Sequence, residues 1–288
     1  MKKSSKETKS GRNASSTTGH TQDRLFVTAL ARGLEILQCF NAKRAELGTT
    51  EIAQLTGMAQ PTVWRLCHTL VKLGYLTRAP SSDKLRVGIG VLRLGYTSLS
   101  SINISDSTLH EMQRLADDFH AACSIAVPDG SDMVIVKRAQ CESAVLVVNL
   151  SVGTRLPIAS SSFGGAYVAA LPEQHREQML KTLKSRHQHD WPAILTNLSA
   201  AVDRYSKKGY IVNRGAHHPQ INTVAIPIAS EDFTHILTIN CGGPASTLSV
   251  KTLENEVAPR LLRIAKTISD DLYPANNRAI RSRATSRH

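Results

Sequence analysis

The chain has 288 residues, of which 41% are hydrophobic and 20% are charged, which is enough apolar material for a folded core and suggests two domains. Its apolar runs end before about 18 residues and its basic N-terminus lacks the apolar stretch of a secretory signal, so we expect no membrane span and a cytoplasmic protein. The five cysteines include no Cys-x-x-Cys pair, which argues against a disulfide framework or a cysteine zinc site and favours buried thiols.

The formal net charge of +12 is unevenly distributed. Residues 24–96 carry ten Lys or Arg against four acidic residues, whereas residues 97–273 carry sixteen against seventeen. A basic globular segment beside a nearly neutral one predicts a polyanionic partner for the first. Residues 1–22 and 274–288 are also basic and predict disordered tails, which can serve solubility alone.

The first elements in chain order predict three helices followed by a hairpin. Residues 24–40 form an amphipathic pattern, with its apolar stripe at Leu30, Leu34, Leu37 and Phe40. A short helix capped by Thr49 or Thr50 follows, and a third helix begins near Pro61, which suits a first helical turn. This order is typical of a winged helix-turn-helix, which we assign to residues 23–87.

Residues 88–105 predict a linking helix, and residues 106–273 mix helices with hairpin-linked strands. Helices are predicted at 106–121, from Gly164, and at 173–187, 197–208 and 250–272. Strands are predicted on both sides of Pro128–Gly130 and at 144–150, 222–229 and 235–241. The predicted fold class of the whole chain is α+β.

The helix that begins near Gln60 carries the chemistry expected of a recognition helix, whose N-terminal residues touch base edges in the major groove. Arg65 can bond guanine or phosphate. The candidate DNA-binding residues here are Thr50, Gln60, Pro61, Thr62, Trp64, Arg65, His68 and Lys72. The hairpin adds three candidate phosphate contacts, Arg78, Lys84 and Arg86. The alternative is a three-helix bundle with a solvated basic face.

Over about residues 25–272 the sequence resembles IclR-type transcriptional regulators. The resemblance rests on ALARGLEILQCF, TTEIAQLTGMAQPTVWRLCHTLVKLGYL, VGTRLPIASSSFGGAYVAAL, KKGYIVN, NTVAIPI and LTINCGGP, in that order. It implies a GAF-like α/β second domain that binds a small-molecule effector, often a carboxylate or aromatic compound. It also implies a homodimer or tetramer, held through the N-terminal domains and the linking helix, that binds a double-stranded DNA operator.

Carried over by position, the resemblance places an effector pocket in the second domain. Its residues would be Val145, Val148, Leu156, Ser162, Phe163, Asn213, Thr223, Asn240 and Gly242. Family members often have an acid where this chain has Asn213, Cys or Ser at Thr223, and Ser at Asn240 and Gly242. These departures leave open a second domain that binds no ligand and serves only for oligomerisation.

Two other constellations indicate no further chemistry. The spacing of His187, His189 and Asp190, and of the pair His217–His218, matches no zinc signature. The serines before Gly164 lack the G-x-S-x-G elbow of a nucleophile. We therefore predict a sequence-specific regulator with no enzymatic activity, cofactor, metal or membrane partner. A nonspecific DNA-binding protein is the alternative that the basic tails favour.

Overall fold

A computed structural model of the chain describes residues 25–41, 44–100, 102–143, 150–215 and 218–274. The chain divides between Thr97 and Ser98 into two compact units. Both predicted tails, except Pro274, lie outside the described residues, and so does the strand predicted at 144–150, except Leu150.

Within its described residues, the first unit combines helices with a small antiparallel sheet. The helices are α1 (Thr28–Gln38), α2 (Thr49–Thr56), α3 (Gln60–Lys72) and α4 (Ile89–Ser100), the last of which crosses the division. The strands are β1 (Glu46–Leu47), β2 (Leu76–Arg78) and β3 (Leu85–Val87), in the order β1-β3-β2. This is the predicted helix-turn-helix and hairpin, to which β1 adds a two-residue strand too short for a sequence signal.

Helix α1 packs against the core with only part of its predicted apolar stripe. Ile36 is fully buried, and Leu37 and Phe40 of the predicted stripe pack against the same core, whereas Leu30 and Leu34 are 63% and 50% exposed. The predicted stripe therefore faces the core of this unit only at its C-terminal end. Apolar residues occupy two faces of α1, and spacing alone cannot tell which of them packs against Val63 in α3.

The second unit is a six-stranded antiparallel sheet with helices packed on both faces. The strands are β4 (Ala122–Asp129), β5 (Asp132–Gln140), β6 (Arg155–Pro157), β7 (Ile211–Arg214), β8 (Ile221–Ala229) and β9 (Ile236–Pro244), in the order β6-β5-β4-β9-β8-β7. The helices are α5 (Asp106–Asp118), α6 (Ser162–Ala170), α7 (Glu173–Arg186), α8 (Trp191–Lys208), α9 (Val250–Thr252) and α10 (Ala258–Leu272).

Four elements of this unit differ from the prediction. Helix α8 begins at Trp191 rather than at 197, and Pro192 in its first turn was an available signal. Strands β6 and β7 were missed because three or four residues give too little alternation to detect. The helix predicted at 250–272 is interrupted by a π-helical segment, Leu253–Val257.

The two faces of the central strands have different chemistry, because successive side chains on a strand point to opposite faces. Cys123 of β4 and Cys241 of β9 lie opposite each other in the core that α5 and α10 cover. Burial raises the pKa of the Cys241 thiol to about 12. On the other face, Ser124 of β4 lies between Arg138 of β5 and Asn240 of β9. Polar side chains in the middle of a sheet face indicate a binding site.

Candidate nucleic-acid interface and effector cavity

Helix α3 presents an exposed polar face beside a buried apolar edge. Its buried side chains are Val63, Cys67 and Leu70, which pack in the core of the first unit. Its exposed predicted DNA contacts are Gln60, Pro61, Trp64, Arg65, His68 and Lys72, whereas Thr62 is half-buried. The exposed face extends along the whole helix, which is the geometry a recognition helix needs to enter a groove.

Two contacts order the side chains on this face. Gln60 Nε2 donates a hydrogen bond to Thr50 Oγ1 at 3.0 Å, which ties the first turn of α3 to the first turn of α2. The Trp64 and His68 rings are stacked, with centroids 5.6 Å apart and an interplanar angle of 17°. Trp64 is 59% exposed, an unusual position for a large aromatic side chain that has no role in binding.

Lys84 is held by a partner within the unit. Its Nζ lies 3.1 Å from Glu51 Oε2, and the same carboxylate accepts a hydrogen bond from the Gly48 backbone N–H at 2.7 Å. These bonds, that from Gly48 first, lower the pKa of Glu51. Gly48 is thus the N-cap of α2, and the predicted cap at Thr49 or Thr50 is wrong because those residues already lie inside the helix.

The other two hairpin cations have different surroundings. Arg86 is exposed and lies directly opposite Glu46 in the β1–β3 register. Arg78 lines a surface hollow of about 170 Å³ together with Trp64 and His68. The structure therefore brings Arg78 next to the recognition helix and leaves Arg86 exposed on the small sheet.

In the second unit, two adjoining cavities of about 60 Å³ each lie between the sheet and the start of α6. Both are lined by Leu150, Phe163, Ile221, Thr223 and Asn240. Of the other residues predicted for the pocket, Gly242 lines the first cavity, and Leu156, Ser162 and Asn213 line the second. Val145 and Val148 lie outside the described residues.

The start of α6 lines the second cavity with Ser161, Ser162 and Phe163. The N-cap Ser161 accepts a bond from the Gly164 N–H at 3.0 Å, and the backbone N–H groups of Ser162 and Phe163 find no acceptor among the described residues. Asn240 Nδ2 donates to Ser162 Oγ at 3.2 Å. A helix start with free N–H groups favours an anion.

The walls of the cavities are set by close backbone approaches. A Cβ placed on Gly164 would lie 2.2 Å from the carbonyl oxygen of Ile158, so only glycine fits there. The Asn213 side-chain amide donates to the Ser160 carbonyl at 3.0 Å and fixes the loop before α6. Asn213 thus has a structural contact as well as a place on the cavity wall.

Thr223 and Gly242 are directly opposite each other on β8 and β9. A Cβ on Gly242 would lie 2.3 Å from Thr223 Cγ2, so the threonine methyl occupies the space that a side chain at 242 would need. The Thr223 hydroxyl is buried and has no hydrogen-bond partner among the described residues. A buried hydroxyl without a partner is costly, so this hydroxyl is a candidate contact for a molecule in the cavity that it lines.

Sequence analysis missed Arg138, the charged residue of the first cavity. Its Nη1 donates to Ser124 Oγ at 2.9 Å, and its Nε and Nη2 donate to Gln140 Oε1 at 3.3 and 3.1 Å. Burial lowers the pKa of the Arg138 guanidinium. Arg138 follows Lys137 in a strand that also contains Asp132 and Gln140, so the sequence does not single it out, and only the register shows where it lies.

A larger open cleft of about 870 Å³ runs along α8. Three of its four Lys or Arg side chains, Arg204, Lys207 and Lys208, are each paired with a carboxylate of Glu254 or Asp203. Because most of its positive charge is already neutralised, the cleft offers less to a charged ligand than the two cavities beside α6 do.

The fold and both sites define a winged helix-turn-helix protein with a separate α/β domain. Residues 29–80 match the IclR helix-turn-helix domain and residues 96–270 match the bacterial transcriptional regulator IclR C-terminal domain. The chain belongs to the IclR family of transcriptional regulators. The predicted family and fold class are confirmed, and the family consists of regulators rather than enzymes.

Similar proteins match along most of the chain. HTH-type transcriptional regulator TsaQ1/TsaQ2 of Comamonas testosteroni is 28% identical over 87% of this chain and 90% of its own length. The Pca regulon regulatory protein of Pseudomonas putida is 29% identical over 88% and 87%. The crystal structure of an IclR family regulator from Brucella abortus is 40% identical, covers 88% of this chain and 96% of that one, and has a TM-score of 0.78. Among the described residues, no helix is both long and apolar enough to cross a membrane.

Proposed function

We propose that this protein is a sequence-specific DNA-binding regulator whose affinity for an operator is set by a small-molecule effector. The single observation that supports DNA binding is the exposed face of α3. The side chains on this face that point away from the core are Gln60, Trp64, Arg65, His68 and Lys72. We assign DNA binding to residues 23–87, the link to 88–105 and effector binding to 106–273. The family's regulators act on DNA, which favours a cytoplasmic protein.

On DNA, the residues near the start of α3 have the roles that base edges require. Arg65 is placed for a bidentate contact with guanine, and Gln60, held by Thr50, for adenine or phosphate. Trp64 offers an apolar surface to a thymine methyl group. Arg78 and Arg86 contact phosphates, whereas Lys84 mainly holds Glu51 and so positions the hairpin.

The effector half rests on the cavities beside α6. They combine apolar walls, such as Phe163 and Leu156, with a small number of polar groups, which is the usual composition of a small-molecule site. The hydroxyl of Thr223 and the N–H groups of Ser162 and Phe163 have no partner among the described residues and can each donate to a ligand. This favours a ligand-binding domain over one that serves oligomerisation alone.

A second copy of the chain is the expected partner of the first unit. α1 exposes Leu30 and Leu34, and α4 exposes Ile89, Leu92 and Tyr96. Such apolar residues on two helices fit an interface between copies, and a dimer reads two half-sites one helical turn apart. We therefore propose a homodimer as the DNA-binding form, with a tetramer as its further assembly.

The experiment is binding of the purified protein to the DNA upstream of its own gene and to a random duplex of equal length, each across a salt series. We expect a cognate preference of about 10³-fold or more that persists as salt rises. Equal affinity for both duplexes with one steep salt dependence would contradict the proposal and favour nonspecific binding. A ligand screen that finds no compound able to change the cognate affinity would favour a ligand-blind second domain.

A further inference from the structure

The first cavity contains a positive charge that no carboxylate of the described residues neutralises. Arg138 is partly buried, and its three hydrogen bonds go to the neutral acceptors Ser124 and Gln140. The described residues that line the two cavities include no Asp or Glu. A partly buried cation without an anionic partner is costly, and a ligand anion is the simplest way to remove that cost.

Arg138 still has donors to offer. A guanidinium has five N–H groups, and the described contacts use one on each of Nε, Nη1 and Nη2. One N–H on each Nη remains, and paired N–H groups of this kind suit a carboxylate. Arg155 in the same unit differs from Arg138 in this respect, because its guanidinium is already paired with Asp129 and Asp132.

The Arg138 donors are separate from those at the start of α6. Arg138 lines only the first cavity and Ser162 lines only the second, while Phe163, Thr223 and Asn240 line both. In the sheet register Arg138 lies opposite Ser124, and Ser124 lies opposite Asn240, so two strand spacings, or about 10 Å, separate Arg138 and Asn240 at their Cα atoms. The Arg138 side chain extends toward Ser124 on β4. Its guanidinium therefore lies roughly one strand spacing, about 5 Å, from Asn240.

We infer that Arg138 forms a second anion subsite, so that the effector is a small dicarboxylate with one carboxylate on the α6 N–H groups and the other on Arg138. This rests on the effector half of the proposed function. Each cavity, at about 60 Å³, holds about four to six water-sized groups. A chain of four to six carbons with two carboxylates has eight to ten heavy atoms and fills both cavities, with its carboxylates about 4–6 Å apart.

The test compares dicarboxylates with monocarboxylates of the same carbon number on the full-length protein. Succinate, glutarate and adipate are measured against butyrate, pentanoate and hexanoate by calorimetric titration and by thermal shift. We expect at least one dicarboxylate to bind about tenfold or more tightly than its monocarboxylate partner, since a charge-assisted hydrogen bond supplies that difference. Equal affinities, or no binding of any of the six compounds, would overturn the inference.

Variants locate the effect. Arg138→Gln removes the charge and should reduce the dicarboxylate preference to within about threefold, while Arg138→Lys retains part of it because lysine keeps the charge without the fork. Lys137→Gln is the matched control, because it removes a positive charge from the neighbouring position of β5, whose side chain points to the other face. A dicarboxylate preference that persists in Arg138→Gln would overturn the assignment of Arg138.

Operator binding in the same variants separates this inference from the proposed function. We expect Arg138→Gln to bind the cognate duplex like the wild type and to lose its response to the dicarboxylate. If an uncharged compound controls operator binding by the wild type instead, the proposed regulatory function is supported and the dicarboxylate subsite is contradicted. If dicarboxylates bind through Arg138 but the protein prefers no duplex, the subsite is supported and the proposed function is contradicted.

Discussion

The exposed face of α3 and the two cavities beside α6 differ in how far apart along the chain their residues lie. The exposed face of α3 comes from 13 consecutive residues and needs only one helix to form. The cavities collect residues from Ala122 to Pro244, on all six strands of the sheet and on the start of α6. A local site depends on its own side chains, whereas a nonlocal site depends on strand register and on the backbone approaches that set it.

The largest expected effect comes from Gly164, where the nonlocal site is most constrained. Gly164→Ala places a Cβ against the Ile158 carbonyl, and we expect the free energy of unfolding of the second unit to fall by about 3 kcal/mol or more. Gly165→Ala is the control, since its Cβ would meet no backbone atom and would lie 3.0 Å from the end of the Ile211 side chain and 3.5 Å from Ala201 Cβ. Denaturant unfolding of both variants checks this, and equal losses would contradict the close-approach argument.

A smaller effect is expected where two departures from the family pattern meet. Gly242→Ser should cost about 1–3 kcal/mol of stability because the new Cβ meets the Thr223 methyl group. Thr223→Ser removes that methyl group, so the double variant should lose at least about 1 kcal/mol less than the sum of the single variants. A double-mutant cycle of unfolding free energies measures this coupling. Additive losses of unfolding free energy would mean that the side chains at the two positions do not affect each other, which would contradict the predicted coupling.

The hairpin cations give a smaller, local contrast. Arg86→Gln should lower the salt dependence of operator binding by about one unit, because an exposed phosphate contact is lost. Lys84→Gln should change that slope less and should instead cost a few tenths of a kcal/mol of stability through the lost contact with Glu51. Salt titrations and unfolding curves of both variants distinguish the two roles. An equal change in the salt dependence of both variants would contradict the different roles assigned to Arg86 and Lys84.

The sequence predicted the helix-turn-helix closely because its signals are local. Pro61 in a first turn and the stripe around Val63 are enough to place α3 within a few residues. It predicted an apolar stripe on α1 of which only Leu37 and Phe40 pack against the core, because spacing alone cannot tell which apolar positions a neighbouring element covers. The effector residues Ser162, Thr223 and Asn240 came from the family resemblance and not from any local pattern.

Arg138 shows what sequence analysis could not supply. Nothing near it marks a site, and its neighbours Ser124 and Asn240 lie 14 residues before it and about a hundred after it. Only the antiparallel register of β5, β4 and β9 brings the three side chains to one face. Strands β6 and β7, which complete the cavity walls, were likewise too short for the alternation that predicts a strand.

The most direct test of DNA binding by α3 compares the wild type with Arg65→Ala. The affinity of each protein is measured for the cognate operator and for operators that carry single base-pair substitutions. We expect the wild type to lose about 1–3 kcal/mol of binding free energy at one guanine in each half-site, and the variant to show little preference at that position while keeping its other preferences. The variant should unfold like the wild type, because Arg65 is exposed. Full operator affinity in Arg65→Ala, or a loss that is uniform across all sequences, would contradict base contact by α3.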